Sequence, residues 1–238
     1  MRRARFGRGA LRAGIAGAAC LAAVAALAYV PPVERIARAV ADANRAHGRA
    51  RVLAMRVTLE GEGGAVLASG TLLSDPRGAA RLEVKHASGF VERQLRRGRA
   101  LEASRDRAPL ADPHPLLPPL FLLQIDQGAT LQTRIAELGG SPAAVVLAHE
   151  GDHDCYVLGG KSAEASYWVD QESFGPVRID LAGGVRYRLG PPRMQGGVEL
   201  PAWIALEAPG RPSLKMTIAE ARPEPAGPDA FEPGWLTR

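Results

Sequence analysis

Acidic side chains are missing from the start of this 238-residue chain: Arg2, Arg3, Arg5, Arg8 and Arg12 all precede the first acid, Glu34. That gap decides how the formal charge of +5 is read, because the remaining 25 Lys and Arg face 25 Asp and Glu and leave a neutral body. Nucleic-acid affinity depends on concentrated Lys and Arg releasing counterions from phosphates, so no nucleic-acid partner is expected. Cysteine is nearly absent too. Of Cys20 and Cys155, the first lies in the N-terminal apolar segment, so a cleaved product would hold one thiol and no internal disulfide. Also missing are a G-x-G-x-x-G between a strand and a helix, a G-x-S-x-G elbow and a phosphate loop. No cofactor is therefore expected.

What the chain does contain begins with a basic stretch, Met1 to Arg12, followed by the uncharged and Ala-rich Ala13 to Val30. Residues 1–30 read as a secretory signal, with Ala26-Leu27-Ala28 as a small-x-small cleavage site, or as an N-terminal membrane anchor. Either assignment puts residues 31–238 in an extracytoplasmic, periplasmic compartment as a single β-rich domain. Pro31-Pro32 opens a short helix in which Val33, Ile36, Ala37, Val40 and Ala41 fall on one face. From Leu53 the period changes to two. Leu53, Met55, Val57 and Leu59 alternate with polar residues, as do Ala80, Leu82 and Val84, with turns at Glu62-Gly63-Gly64 and Asp75-Pro76-Arg77-Gly78. Further runs follow at 145–149, 155–158, 167–170, 176–181, 185–189, 201–208 and 214–218, giving about ten antiparallel strands and no long helix.

The pattern breaks at Ala108 to Gln124, where prolines 109, 113, 115, 118 and 119 forbid a continuous helix. Leu116, Leu117, Leu120, Phe121, Leu122 and Leu123 are nonetheless too apolar to stay in water. The segment is expected to bury itself on the sheet, as a core plug or as a lid over an apolar ligand. Leu116, Leu117, Leu120, Phe121 and Leu123, with Leu53, Met55, Val57, Leu82 and Val84 from the sheet's dry face, are the candidate ligand-binding residues.

One string has catalytic spacing. His149-Glu150-Gly151-Asp152-His153 matches H-E-x-x-H, in which a helix brings two histidines to zinc beside a general base. Here Gly151, Asp152 and Asp154 disfavour a helix, and Val145 to Leu147 and Tyr156 to Leu158 favour strands. The expected form is strand-turn-strand with no metal site and no catalytic residue; His149, His153 and Glu172 would be the ligands of a zinc hydrolase alternative.

Asp154-Cys155-Tyr156-Val157-Leu158-Gly159, Tyr167-Trp168-Val169-Asp170, Phe174-Gly175-Pro176-Val177-Arg178, Met216-Thr217-Ile218 and Phe231-Glu232-Pro233 occur in an order that resembles the periplasmic lipoprotein-carrier superfamily, LolA/LolB-like. The resemblance implies a strongly curved antiparallel sheet, an incomplete barrel, with a short N-terminal helix and an apolar plug or lid. It also implies a non-enzymatic carrier or sorting protein that takes acyl chains of a lipid or lipidated protein, in or near a membrane. This chain departs from that pattern in its low aromatic content, 5%, and its Pro-rich segment. An envelope scaffold with a filled core, binding a membrane-envelope protein partner, is the second expectation.

Overall fold

Two prolines and an apolar stripe set the first helix, α1 (Val33–Ala46), which buries Val33, Ile36, Ala37, Val40, Ala41 and Asn44 and ends in a loop where Gly48 has φ +70°. The computed structural model describes residues 30–160, 165–227 and 229–238; the segment read as a signal or anchor lies outside them except for Val30. Strands follow at β1 (Leu53–Glu60), β2 (Val66–Asp75), β3 (Ala79–His86), β4 (Val91–Arg97), β5 (Ala100–Arg105) and β6 (Ala108–Pro109). After the Pro-rich segment come a 3-10 turn at Leu120–Leu123 and helix α2 (Gly128–Leu138). The second series is β7 (Ser141–Glu150), β8 (His153–Gly159), β9 (Ser166–Asp170), β10 (Pro176–Asp180), β11 (Arg186–Leu189), β12 (Pro192–Gln195), β13 (Val198–Pro201), β14 (Trp203–Glu207) and β15 (Leu214–Pro223).

Thirteen of these strands form one antiparallel sheet in the order β6-β5-β4-β3-β2-β1-β15-β14-β11-β10-β9-β8-β7. The chain meanders outward from the centre to β6, crosses to the opposite edge through the Pro-rich segment and α2, and meanders back. It finishes beside β1. Among the described residues the two edges do not pair, so the sheet curls without closing. The strand number exceeds the sequence expectation because β6 has only two residues and because Pro191 to Pro201, read as a loop running into a strand, folds into the separate hairpin β12-β13.

The dry faces of β1, β2 and β3 share one apolar core with α1, α2 and the Pro-rich segment. That segment is held by hydrogen bonds from outside itself. Gln94 Nε2 donates to the His114 carbonyl (2.6 Å), and the Leu117 N–H donates to Gln94 Oε1 (3.1 Å). Arg96 Nε donates to the Leu117 carbonyl (2.9 Å) and the Tyr187 hydroxyl to that of Pro115 (2.8 Å). Asn44 of α1 donates to the Ile125 carbonyl (2.8 Å). Prolines supply no N–H and leave carbonyls that a buried chain must satisfy, which is why polar Gln94 and Arg96 point inward from β4.

On the wet face, Trp235 of the C-terminal turn (Pro233–Thr237) lies 4.9 Å from the Arg81 guanidinium and 5.8 Å from that of Arg93. Ser104 Oγ donates to the Leu236 carbonyl (2.6 Å), so Trp235 and Leu236 dock the tail across β3 to β5.

Candidate functional site

A cavity lies beside the β12-β13 hairpin, at the end of the sheet where β9 ends and β10 begins. It has a volume of about 510 Å³. Its walls come from Pro176 and Val177 of β10, Leu189 of β11, Pro191 and Pro192, Leu200 and Pro201 of the hairpin, and Trp203 of β14. The polar members are His47 and Arg49 after α1, Glu199 on β13, and His153, Asp170 and Ser173 on the opposite wall.

Each wall has a local cause. The hairpin turns at Gly196 and Gly197, both at positive φ, and a Cβ on Gly196 would stand 2.2 Å from the Ala221 carbonyl oxygen of β15. Only glycine permits that approach. Gln195 Nε2 then donates to the Ile218 carbonyl (2.8 Å), and the Glu199 N–H to the His47 carbonyl (3.0 Å), tying the hairpin to β15 and to the end of α1. The Trp203 ring sits over Gly190, where a Cβ would lie 2.4 Å from it.

The charged groups divide into two sets. Asp170 caps the β9-β10 turn: its Oδ1 accepts the Ser173 N–H (2.8 Å), the Ser173 hydroxyl (2.8 Å) and the Glu172 N–H (3.1 Å), and its Oδ2 lies 3.0 Å from His153 Nδ1. Burial disfavours the carboxylate, but the bonds from Ser173, His153 and Glu172 more than offset it and hold the pKa at about 2. On the other wall Arg49 Nη1 donates to Asn44 Oδ1 (3.1 Å), Arg49 Nη2 lies 3.5 Å from Glu199 Oε1, and His47 Nδ1 lies 3.2 Å from the same oxygen. Burial pulls the Arg49 pKa down, against the pull of Tyr167 and Glu199.

The ten candidate ligand-binding residues are brought together, though not here. Leu116, Leu117, Leu120, Phe121, Leu123, Leu53, Met55, Val57, Leu82 and Val84 are all buried in the one core cluster, and none lines the 510 Å³ cavity. Met55 alone borders a shallow space of about 120 Å³.

His149 and His153 flank a tight turn at Gly151 and Asp152 between β7 and β8. Register pairs His149 with Asp154 and Glu150 with His153, so the histidines lie on opposite faces of the hairpin. His149 Nδ1 lies 3.1 Å from Asp154 Oδ1, whereas His153 turns to Asp170. Glu172 sits in the capped turn. Among the described residues no three His, Cys, Asp or Glu are grouped to hold a metal. Cys155 is fully buried against Val157, Trp168 and Val177, and burial, with Asp170, Glu150 and Asp154 nearby, pushes its thiol up to about 11. It is protonated and unreactive at neutral pH. Arg178 pairs with Asp180 along its own strand (2.5 Å), stacks 4.1 Å from Trp168 and reaches Glu150 of β7 (2.8 Å). No described helix is long and apolar enough to cross a membrane.

Sequence reasoning missed the pocket because its residues come from five separated segments. The one local signal was Gln195-Gly196-Gly197-Val198, a two-glycine turn with Val198 and Leu200 alternating after it.

No protein-family model matches this sequence, and no curated protein matches it. Solved structures do match in fold. A LolA superfamily protein from Nitrosomonas europaea superposes with a TM-score of 0.53 at 14% identity, over 87% of this chain and 100% of that one. A domain described as an outer membrane lipoprotein-sorting protein, from Vibrio parahaemolyticus, gives 0.51 at 9% identity, over 84% and 97%. The mainly β, open, curled sheet is thus LolA-like, in agreement with the resemblance read from the sequence.

Proposed function

We propose that this chain, with its LolA-like fold, is an extracytoplasmic, non-enzymatic carrier that binds a lipid or the acyl part of a lipidated protein. The observation that carries the reading is the 510 Å³ pocket walled by Leu189, Leu200, Pro201 and Trp203. Ligand pockets of about 300–1,000 Å³ with apolar walls and a few placed polar groups are the common form of small-molecule sites. Moving acyl methylenes from water into such walls gains about 0.8 kcal/mol each, so one chain supplies most of the affinity. The ten plug and sheet residues enter this proposal as the packed apolar core to which Leu189 and Leu200 of the pocket wall also belong.

The test is native mass spectrometry of the full chain purified without detergent from an exporting bacterial host. An added mass of a phospholipid or acyl chain, lost on Trp203→Ala, is the expected result. A bare protein that also fails to take up an apolar dye refutes the carrier. The complete burial of Phe121 and Leu117 favours one other reading, an envelope scaffold with a filled core whose partner is a protein.

A further inference from the structure

Arg49 is the part of the pocket that an apolar ligand leaves unexplained. Its side chain is 2% exposed. Its Nε–H has no acceptor among the described residues, and its contact with Glu199 at 3.5 Å is longer than a good hydrogen bond. Glu199 itself lies nearer to His47, at 3.2 Å. The fully buried Tyr167 hydroxyl also lacks a partner and interacts electrostatically with Arg49. A guanidinium donates five hydrogen bonds and accepts none, so what Arg49 lacks is an oxygen acceptor. A buried cation without full compensation is costly, and an anion that completes its shell recovers that cost. The second carboxylate of the pocket, Asp170, is committed to Ser173, Glu172 and His153 and does not compete for the role.

We propose that the pocket takes a single-chain amphiphile with an anionic head, a carboxylate or a phosphate monoester. Its head binds Arg49 as Glu199 gives way, and its chain lies along Leu189, Leu200, Pro201 and Trp203. The inference rests on the carrier reading above and adds the chemical class of the ligand.

Calorimetric titration of the full chain with laurate, dodecyl phosphate and 1-dodecanol, all kept below aggregation, separates the two ideas. At least one of the two anions is expected to bind roughly tenfold or more tightly than dodecanol, the scale of one charge-assisted hydrogen bond. The comparison of laurate with dodecyl phosphate identifies the head. Arg49→Met is expected to erase the preference and keep the alkyl affinity. Because removing a buried Arg risks the fold, Glu199→Gln is the second variant: it deletes the competing carboxylate and is expected to tighten anion binding several-fold while leaving dodecanol unchanged. Equal affinity for all three ligands overturns the anionic head and leaves the carrier standing. Binding of none overturns both.

Discussion

The Pro-rich segment and the pocket rim carry five and four prolines respectively, and they end up opposite: the first is buried from Leu116 onward, the second encloses about 510 Å³. The difference lies in what satisfies the backbone around the rings. After the Leu110 N–H, which donates to the Ala103 carbonyl of β5 (2.9 Å), residues up to 119 have no strand partner among the described residues, so their carbonyls draw donors from elsewhere, and Gln94, Arg96 and Tyr187 hold the end of the segment in the core. At the rim, Pro192 faces Pro201 within a hairpin ladder, and the Pro191 carbonyl accepts the Ala202 N–H (2.9 Å). Those prolines need no inward donors, and their stiff rings stand as walls around a space. Proline content alone therefore says little about packing; the location of donors decides it.

Four substitutions or conditions test that contrast. The largest effect belongs to Phe121→Asp, which places a carboxylate among the buried apolar side chains of the core and is expected to cost on the order of 5 kcal/mol. Urea unfolding and lipid uptake should fail together; uptake lost with the fold intact would instead make the segment a lid. Gln94→Leu comes next. It leaves the Leu117 N–H without its acceptor and takes from the His114 carbonyl one of two donors, the Leu116 N–H remaining at 2.7 Å, so the cost is about 1–3 kcal/mol for the one unpaired buried group, seen as a lower urea midpoint. On the pocket side, Trp203→Ala is expected to shift the midpoint by only about 1 kcal/mol while abolishing uptake. A large loss of stability there would merge the two regions into one core.

The smallest effect is in pH. Asp170 has its pKa lowered from 3.8 to about 2 in the folded chain. A depressed carboxylate contributes stability that is complete above its unfolded value and disappears as the pH falls through the folded one. Stability should therefore decline between about pH 4 and pH 2, and Asp170→Asn should flatten that part of the curve, measured by thermal unfolding across the range.

Much of the fold was legible. The period-two alternation of Leu53 to Leu59 and of Ala80 to Val84, and the 3.6-residue stripe from Val33 to Ala41, are local consequences of burying one face, and the elements formed within a residue or two of expectation. The β-forming flanks of His149 and His153 were likewise decisive, and the string became a hairpin. The hairpin β12-β13 was not legible, because Pro191-Pro192 reads as a loop in any window that omits its partner Pro201. Arg49 carried no signal at all. It follows a glycine in a polar stretch, and its importance comes from Asn44, Glu199 and Tyr167, contacts that depend on how α1, the hairpin and β9 meet.

Strand β15 has a consequence for the order of events in folding. It lies between β1 and β14, with Leu53 opposite Pro223 and Glu60 opposite Lys215. The first half of the sheet can zip up as soon as its own strands are available, since each strand pairs with its neighbour in sequence. Yet the free edge of β1 waits for β15, which follows every other strand of the sheet in sequence. Contacts so distant in sequence close slowly, and an unpaired central strand is a template for pairing with other chains. A chain lacking β15 is thus exposed at its middle, and aggregation during folding, more than loss of the finished protein's stability, is where damage to β15 should first be felt.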